Sequence, residues 1–219
     1  MGQEIDLLIN YPKSKRNLKE RENQKSEKDR AIARKFGKEF FDGDRKYGYG
    51  GYKYHQRFWQ PVIPTFKKYW NLDSSSSVLD VGCGKGFMLY DFFKIIPGIK
   101  LKGIDISDYA VENSMPDVKD FITVANAKNL PFEDNSFDVV ISINTVHNLE
   151  PSDCAQALRE IDRVSKKNSF ITVDAYRNEE EKNRMYAWNL TAKTILSVDD
   201  WIKLFKDVDF DGDYFWFIP

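Results

Sequence analysis

Val78-Leu79-Asp80-Val81-Gly82-Cys83-Gly84-Lys85-Gly86 decides the reading of this 219-residue chain. It reads as a short buried strand, an acid, and a glycine turn opening into a helix. Such a turn lets backbone approach a nucleoside-bearing ligand where a side chain would collide. The glycines fall as G-x-G-x-G, and Phe87 follows. A dinucleotide fingerprint requires G-x-G-x-x-G, with its third glycine beneath the pyrophosphate. A phosphate-binding loop requires G-x-x-x-x-G-K-[ST], and Lys85 is out of place for that. The acid inside the motif suits a ligand carrying an ammonium or sulfonium better than one carrying phosphates.

Further segments follow in a consistent order. Ile99 to Asp105 forms a second strand ending in an acid. A carboxylate at that distance beyond the glycines can accept from both ribose hydroxyls. Phe121-Ile122-Thr123-Val124-Ala125-Asn126-Ala127 reads as a third strand running into a turn. Leu130-Pro131-Phe132-Glu133-Asp134-Asn135-Ser136-Phe137-Asp138 then leads into the apolar strand Val139 to Ile143. From Ser77 to Phe170 this pattern resembles the class I S-adenosylmethionine-dependent methyltransferases.

The resemblance implies an α/β fold, doubly wound around a mostly parallel Rossmann-like sheet. It implies S-adenosylmethionine as cofactor and S-adenosylhomocysteine as product. Gly82, Cys83, Gly84 and Gly86 then shape the methionine and ribose part of the site. Asp80 lies near the amino group, and Asp105 holds the ribose. Ile106 packs on the adenine face, or is a plain core residue. Asn126, with Ala127 beside it, stands where the family commonly has an acid. Its carbonyl can accept from the adenine amine, or it closes the strand as an Asx turn.

Ligands of open α/β sheets sit at the carboxyl ends of the strands. That brings Asn144 to His147 to the same crevice. His147 is a candidate base, a contact or a structural histidine. Asp174 and Tyr176, ending the fifth strand, are candidates to orient a substrate, with a helix cap or salt bridge as the other reading of Asp174. Phe40 to Tyr52 combines glycine with aromatics, as a lid needs. Tyr47, Tyr49, Tyr52, Tyr54 and Trp59 are expected to wall the site, or to pack the amino-terminal segment onto the sheet. Arg45 and Arg57 are placed to grip a carboxylate or phosphate.

The chain is long enough for one sizeable core, divided into an arm, lid and first helix over 1–70 and a cofactor-binding core over 71–219. The arm is a helical extension, with a charged surface helix over Asn17 to Phe36. Pro61 and Pro64 confine a helix within Arg57 to Trp70. In the core, Ser107, Ser152 and Ser197 are candidate helix caps. Ser169 to Ala175 is the fifth strand and Asp213 to Ile218 the last. An antiparallel edge strand, usual in the family, is not evident, unless Ala187 to Ser197 contributes something irregular.

Net charge is −1, but Lys13 to Lys38 carries eleven Lys or Arg against four acids. Such a run is a solvated face or a nucleic-acid contact. Two cysteines and two histidines make neither a disulfide framework nor a multi-histidine metal centre. The start has no basic-then-apolar leader, and no segment is of membrane-spanning length, so a cytoplasmic location is expected. The expected activity is methyl transfer to oxygen or nitrogen of a small molecule, without a metal and without a membrane partner. The alternatives are an RNA or protein methyltransferase using the basic arm, a non-catalytic cofactor-binding protein, and an enzyme using the cofactor for another reaction.

Overall fold

The computed structural model describes residues 2–13, 26–50 and 53–219. Its centre is β1 (Ser77–Val81), buried along its whole length. β2 (Lys100–Asp105) and β3 (Ile122–Val124) continue the sheet on one side. β4 (Phe137–Ile143) and β5 (Ser165–Tyr176) continue it on the other. Strand order therefore reverses between β1 and β4, which opens a crevice at their carboxyl ends. The outer edge of β5 is shared. β7 (Asp213–Phe217) pairs with Phe170 to Asp174, and the two-residue β6 (Leu196–Ser197) with Ala175 and Tyr176. All pairings among these strands are parallel. The antiparallel edge of the family pattern is thus replaced by a split parallel one, and Ala187 to Ser197 contributes β6. Glu4 bridges to Tyr214 beyond β7, so backbone covers that edge.

A parallel sheet needs both faces covered, and alternate residues of β1 and β4 point into two apolar layers. On one face Val78, Val139 and Ile141 meet α3 (Ile63–Trp70) and α4 (Phe87–Ile95) through Phe66, Leu89 and Phe92. Pro64 lies in the first turn of α3, where a missing N–H costs nothing. On the other face Leu79, Val81 and Val140 meet α6 (Pro151–Val164) and α8 (Val198–Asp207). Leu158, Ile161, Trp201 and Phe205 fill that layer. Tyr214 and Trp216 of β7 are buried in it, so the aromatic carboxyl-terminal strand belongs to the core. No helix among the described residues is long and apolar enough to cross a membrane.

Ser107 caps α5 (Asp108–Glu112) by accepting from Ala110 N at 3.0 Å, and Ser197 caps α8 through Asp200 N. Ser152 does not cap α6. Glu150 holds that position without a side-chain bond, because Pro151 is already preset for the first turn. The fifth strand starts earlier than Ser169, at Ser165. α7 (Glu179–Trp188), capped by Asn178, lay outside the expected pattern: it buries only Met185, so its sequence carries no apolar stripe. Of the expected amino-terminal helix, α1 (Glu27–Ala33) is seen, opened by a Ser26–Asp29 capping box. Residues 14–25 lie outside the described part, as does Tyr52. α2 (Lys38–Asp42) follows.

Candidate active site

At the switch point a crevice opens in two connected parts, of about 190 Å³ and about 360 Å³. Phe40, Phe41, Gly82, Gly84 and Ile143 wall both parts. The smaller part reaches Asp80, Cys83, Lys85, Phe87, Met88 and Trp59. The larger part runs past Asp105, Ile106, Asn126 and Ala127 to Asn144, Thr145 and Asn148.

Sterics explain the glycine turn. A side chain at Gly82 would run into Thr145, and one at Gly86 would come within 2.5 Å of Ile122 Cδ1. Both backbones also take left-handed φ values, +84° and +75°. These two glycines serve the fit of the turn against β3 and the loop after β4, and Gly86 does not reach the crevice. Gly84 is different. It faces the cleft opposite Phe41, and its N–H donates to Asp105 Oδ2 at 2.8 Å. Ser107 N donates to the other oxygen at 2.9 Å, so backbone fixes the Asp105 carboxylate. Burial pushes its pKa up while these N–H groups oppose the rise.

Asp80 lacks such support. It is 4% exposed and takes no hydrogen bond from a described residue. Burial, together with the nearby Asp105 charge, pushes its pKa up to about 8. A cation in the cleft would remove that penalty. Cys83 lines the same part. Burial, then the two carboxylates, holds its thiol well above the usual range, so it is protonated and unreactive.

At the other end Ile106 is 52% exposed and presents an apolar face to the cleft rim, so it is no core residue. Asn126 lines the cleft, but its Oδ1 already accepts from Lys128 N at 3.1 Å, closing an Asx turn. The free amide edge is its NH₂. Asn144 sits at φ +52° with Oδ1 accepting from Thr172 Oγ1.

His147 is not placed as a base. It is buried outside the crevice, and its Nδ1 accepts the Asp174 N–H at 3.0 Å. In that neutral tautomer Nε2 carries the proton. It lies 3.7 Å from Asp174 Oδ1. Burial lowers the pKa and Asp174 only partly offsets it, so the ring stays neutral without a free lone pair. Asp174 is buried too, and its carbonyl takes the Trp201 indole N–H at 2.9 Å. Neither it nor Tyr176, whose ring lies under Lys182 Nζ, lines the crevice.

The expected lid segment covers the crevice, and of the aromatics singled out for its wall Trp59 lines it. Phe36, Phe40, Phe41 and Trp59 form the wall. Tyr49 instead accepts from Leu190 N and Thr191 N. Tyr54 donates to Asp91 Oδ1 at 2.7 Å on α4. Tyr47 stacks under Lys46, Arg57 over Phe58, and Arg45 lies beside Gly50. Tyr49 and Tyr54 thus tie the amino-terminal segment to the core, whereas Tyr47, Arg45 and Arg57 contact neighbours within that segment and do not line the crevice. Asp42 latches α2 to the glycine turn. It binds Lys85 Nζ at 2.6 Å and accepts from Tyr109 at 2.7 Å. Burial opposes the charge, but these two bonds outweigh it and hold the Asp42 pKa low.

Comparison with known proteins agrees with this geometry. A family model described as a methyltransferase domain matches residues 79–173. A tRNA (carboxymethyluridine(34)-5-O)-methyltransferase from Arabidopsis thaliana is 30% identical over 146 residues, 65% of this chain and 33% of that one. A demethylmenaquinone methyltransferase from Symbiobacterium thermophilum is 35% identical over 133 residues, 57% and 52% of the two chains. The chain thus spans about a third to a half of these curated relatives. The crystal structure of YcgJ from Bacillus subtilis shares the fold, with TM-score 0.54 and 24% identity over 67% of this chain and 66% of that one. Residues 79–173 thus match a methyltransferase domain, and the glycine turn and sheet order are similar to those of the class I S-adenosylmethionine-dependent methyltransferases.

Proposed function

We propose that this chain binds S-adenosylmethionine in the crevice and catalyses methyl transfer to oxygen or nitrogen of a small molecule. The observation that carries the reading is Asp80, a buried carboxyl without a hydrogen-bond partner among described residues, facing the cleft at the glycine turn. An α-ammonium group is the partner it lacks. Asp105, held by backbone N–H groups, has lone pairs left for ribose hydroxyls. Ile106 and Ala127 offer an apolar seat for adenine, with the Asn126 NH₂ in reach of a ring nitrogen. When bound, S-adenosylmethionine supplies a methyl carbon on a positively charged sulfur. The chain's own part is to position the acceptor in line and keep water out, through Phe40, Phe41 and Trp59. His147 takes no proton in this scheme.

A small molecule is favoured over RNA because the crevice is roofed by phenylalanines and the chain has a net charge of −1. The tRNA named for the Arabidopsis relative is the second reading. Incubation with methyl-labelled S-adenosylmethionine and fractionated cell extract separates the two. Label is expected in the low-mass fraction. Label confined to RNA would contradict the small-molecule assignment.

A further inference from the structure

The larger cleft is lined by two side chains, Arg34 and Asn148, that each carry a buried polar atom unmatched among the described residues. Arg34 closes α1. Its guanidinium makes no ion pair and no hydrogen bond with a described residue, and its Nε is sealed from solvent. Its neighbour on the helix is treated differently: Arg30 pairs with Glu27 and donates to the Asn189 carbonyl. The carboxylates of this wall are also taken. Glu150 pairs with Lys193 at 3.0 Å and Asp153 with Lys128 at 2.8 Å. A half-buried guanidinium with no partner among the described residues is costly, and a ligand anion removes the cost.

The second atom is Asn148 Oδ1, buried and without a partner among the described residues. Its orientation is fixed, because Nδ2 donates to Asn144 O at 3.1 Å and Thr145 O at 3.0 Å. Asn148 is thus a second polar group in this wall with an unmatched atom among the described residues. Phe36, Phe40 and Phe41 close the space with apolar surface.

Resting on the assignment of the crevice to S-adenosylmethionine, we infer that the methyl acceptor is an anionic small molecule. Arg34 grips its carboxylate or phosphate, and the phenylalanines hold an apolar or aromatic body. RNA phosphates fit less well, because the guanidinium sits within a walled cleft rather than on an open basic surface.

The test uses the full chain saturated with S-adenosylhomocysteine, titrated with 4-hydroxybenzoate, phenyl phosphate and 4-hydroxybenzamide. The anionic probes are expected to bind at least tenfold tighter than the neutral amide, with the stronger of the two telling carboxylate from phosphate. Arg34→Met should abolish that preference while S-adenosylhomocysteine affinity stays within about twofold, and Arg34→Lys should retain part of it. Equal binding of charged and neutral probes, or a preference that survives Arg34→Met, would overturn the inference. So would Arg34-dependent binding of an RNA oligonucleotide in place of the small anions. Failure of the unmodified chain to bind S-adenosylhomocysteine would instead overturn the cofactor reading beneath it.

Discussion

Asp80 and His147 show how environment decides what a titratable side chain can do. The Asp80 pKa of about 8 lies far above the ordinary 3.8, so its folded form keeps the proton at neutral pH. A raised acid contributes stability that is complete below the unfolded pKa and lost progressively until pH passes the folded one. Without ligand, the melting temperature is therefore expected to drop between pH 5 and 8, and Asp80→Asn to flatten that drop. Binding an ammonium needs the carboxylate, so cofactor uptake near pH 7 should release a proton from the unmodified chain and less from the variant. Calorimetry in buffers of different ionisation enthalpy reads this directly; equal proton release would remove Asp80 from the site. For His147, removing a general base costs about 10²–10⁴ in rate. Removing a buried acceptor costs about 1–3 kcal/mol of stability instead, here by stranding the Asp174 N–H. His147→Ala is expected to lower the melting temperature while kcat of the folded protein falls less than about tenfold. A hundredfold fall in kcat at unchanged stability would restore the base.

Among the elements, α2 acts as a roof and the glycine turn as its anchor. The Asp42 side chain keeps 29% of its surface accessible and Lys85 only 9%. Such partial exposure limits the worth of the pair to a modest amount. The Tyr109 hydroxyl adds a second tie. Asp42→Asn is accordingly expected to speed cofactor dissociation by about two- to tenfold, read by stopped-flow displacement, with a smaller effect on association. An unchanged dissociation rate would mean that α2 does not close the crevice. The loop at residues 189–194 has a comparable role on the other flank. Its Lys193 and Thr194 N–H groups both donate to His147 O, and Leu190 and Thr191 N–H bind Tyr49.

At the scale of the whole molecule, what could be read from the chain depended on how local the cause was. The β1 strand, the glycine turn and Asp105 stand close together along the chain and announce themselves by pattern. The caps at Ser107 and Ser197 are equally local. The lid was legible as a segment, but not by residue: whether Tyr49 or Phe41 faces the cleft depends on partners at Leu190 and Gly84, far along the chain. Which of the three readings of His147 holds was open for the same reason, since its partner Asp174 stands on the next strand, beyond the whole of α6. α7 gave no periodic signal because it lies on the surface, and the split β6–β7 edge arises from how two separate segments share one side of β5. Arg34 went unremarked within a basic run, where only the fold shows that its guanidinium lines the cleft without a partner among the described residues. The central claim is that this fold gathers those pieces into an S-adenosylmethionine site. Its most direct test is calorimetric titration of the full chain with S-adenosylmethionine and S-adenosylhomocysteine. Micromolar binding of both, at one site per chain, is the predicted result. No heat and no thermal stabilisation with either ligand at millimolar concentration would contradict it.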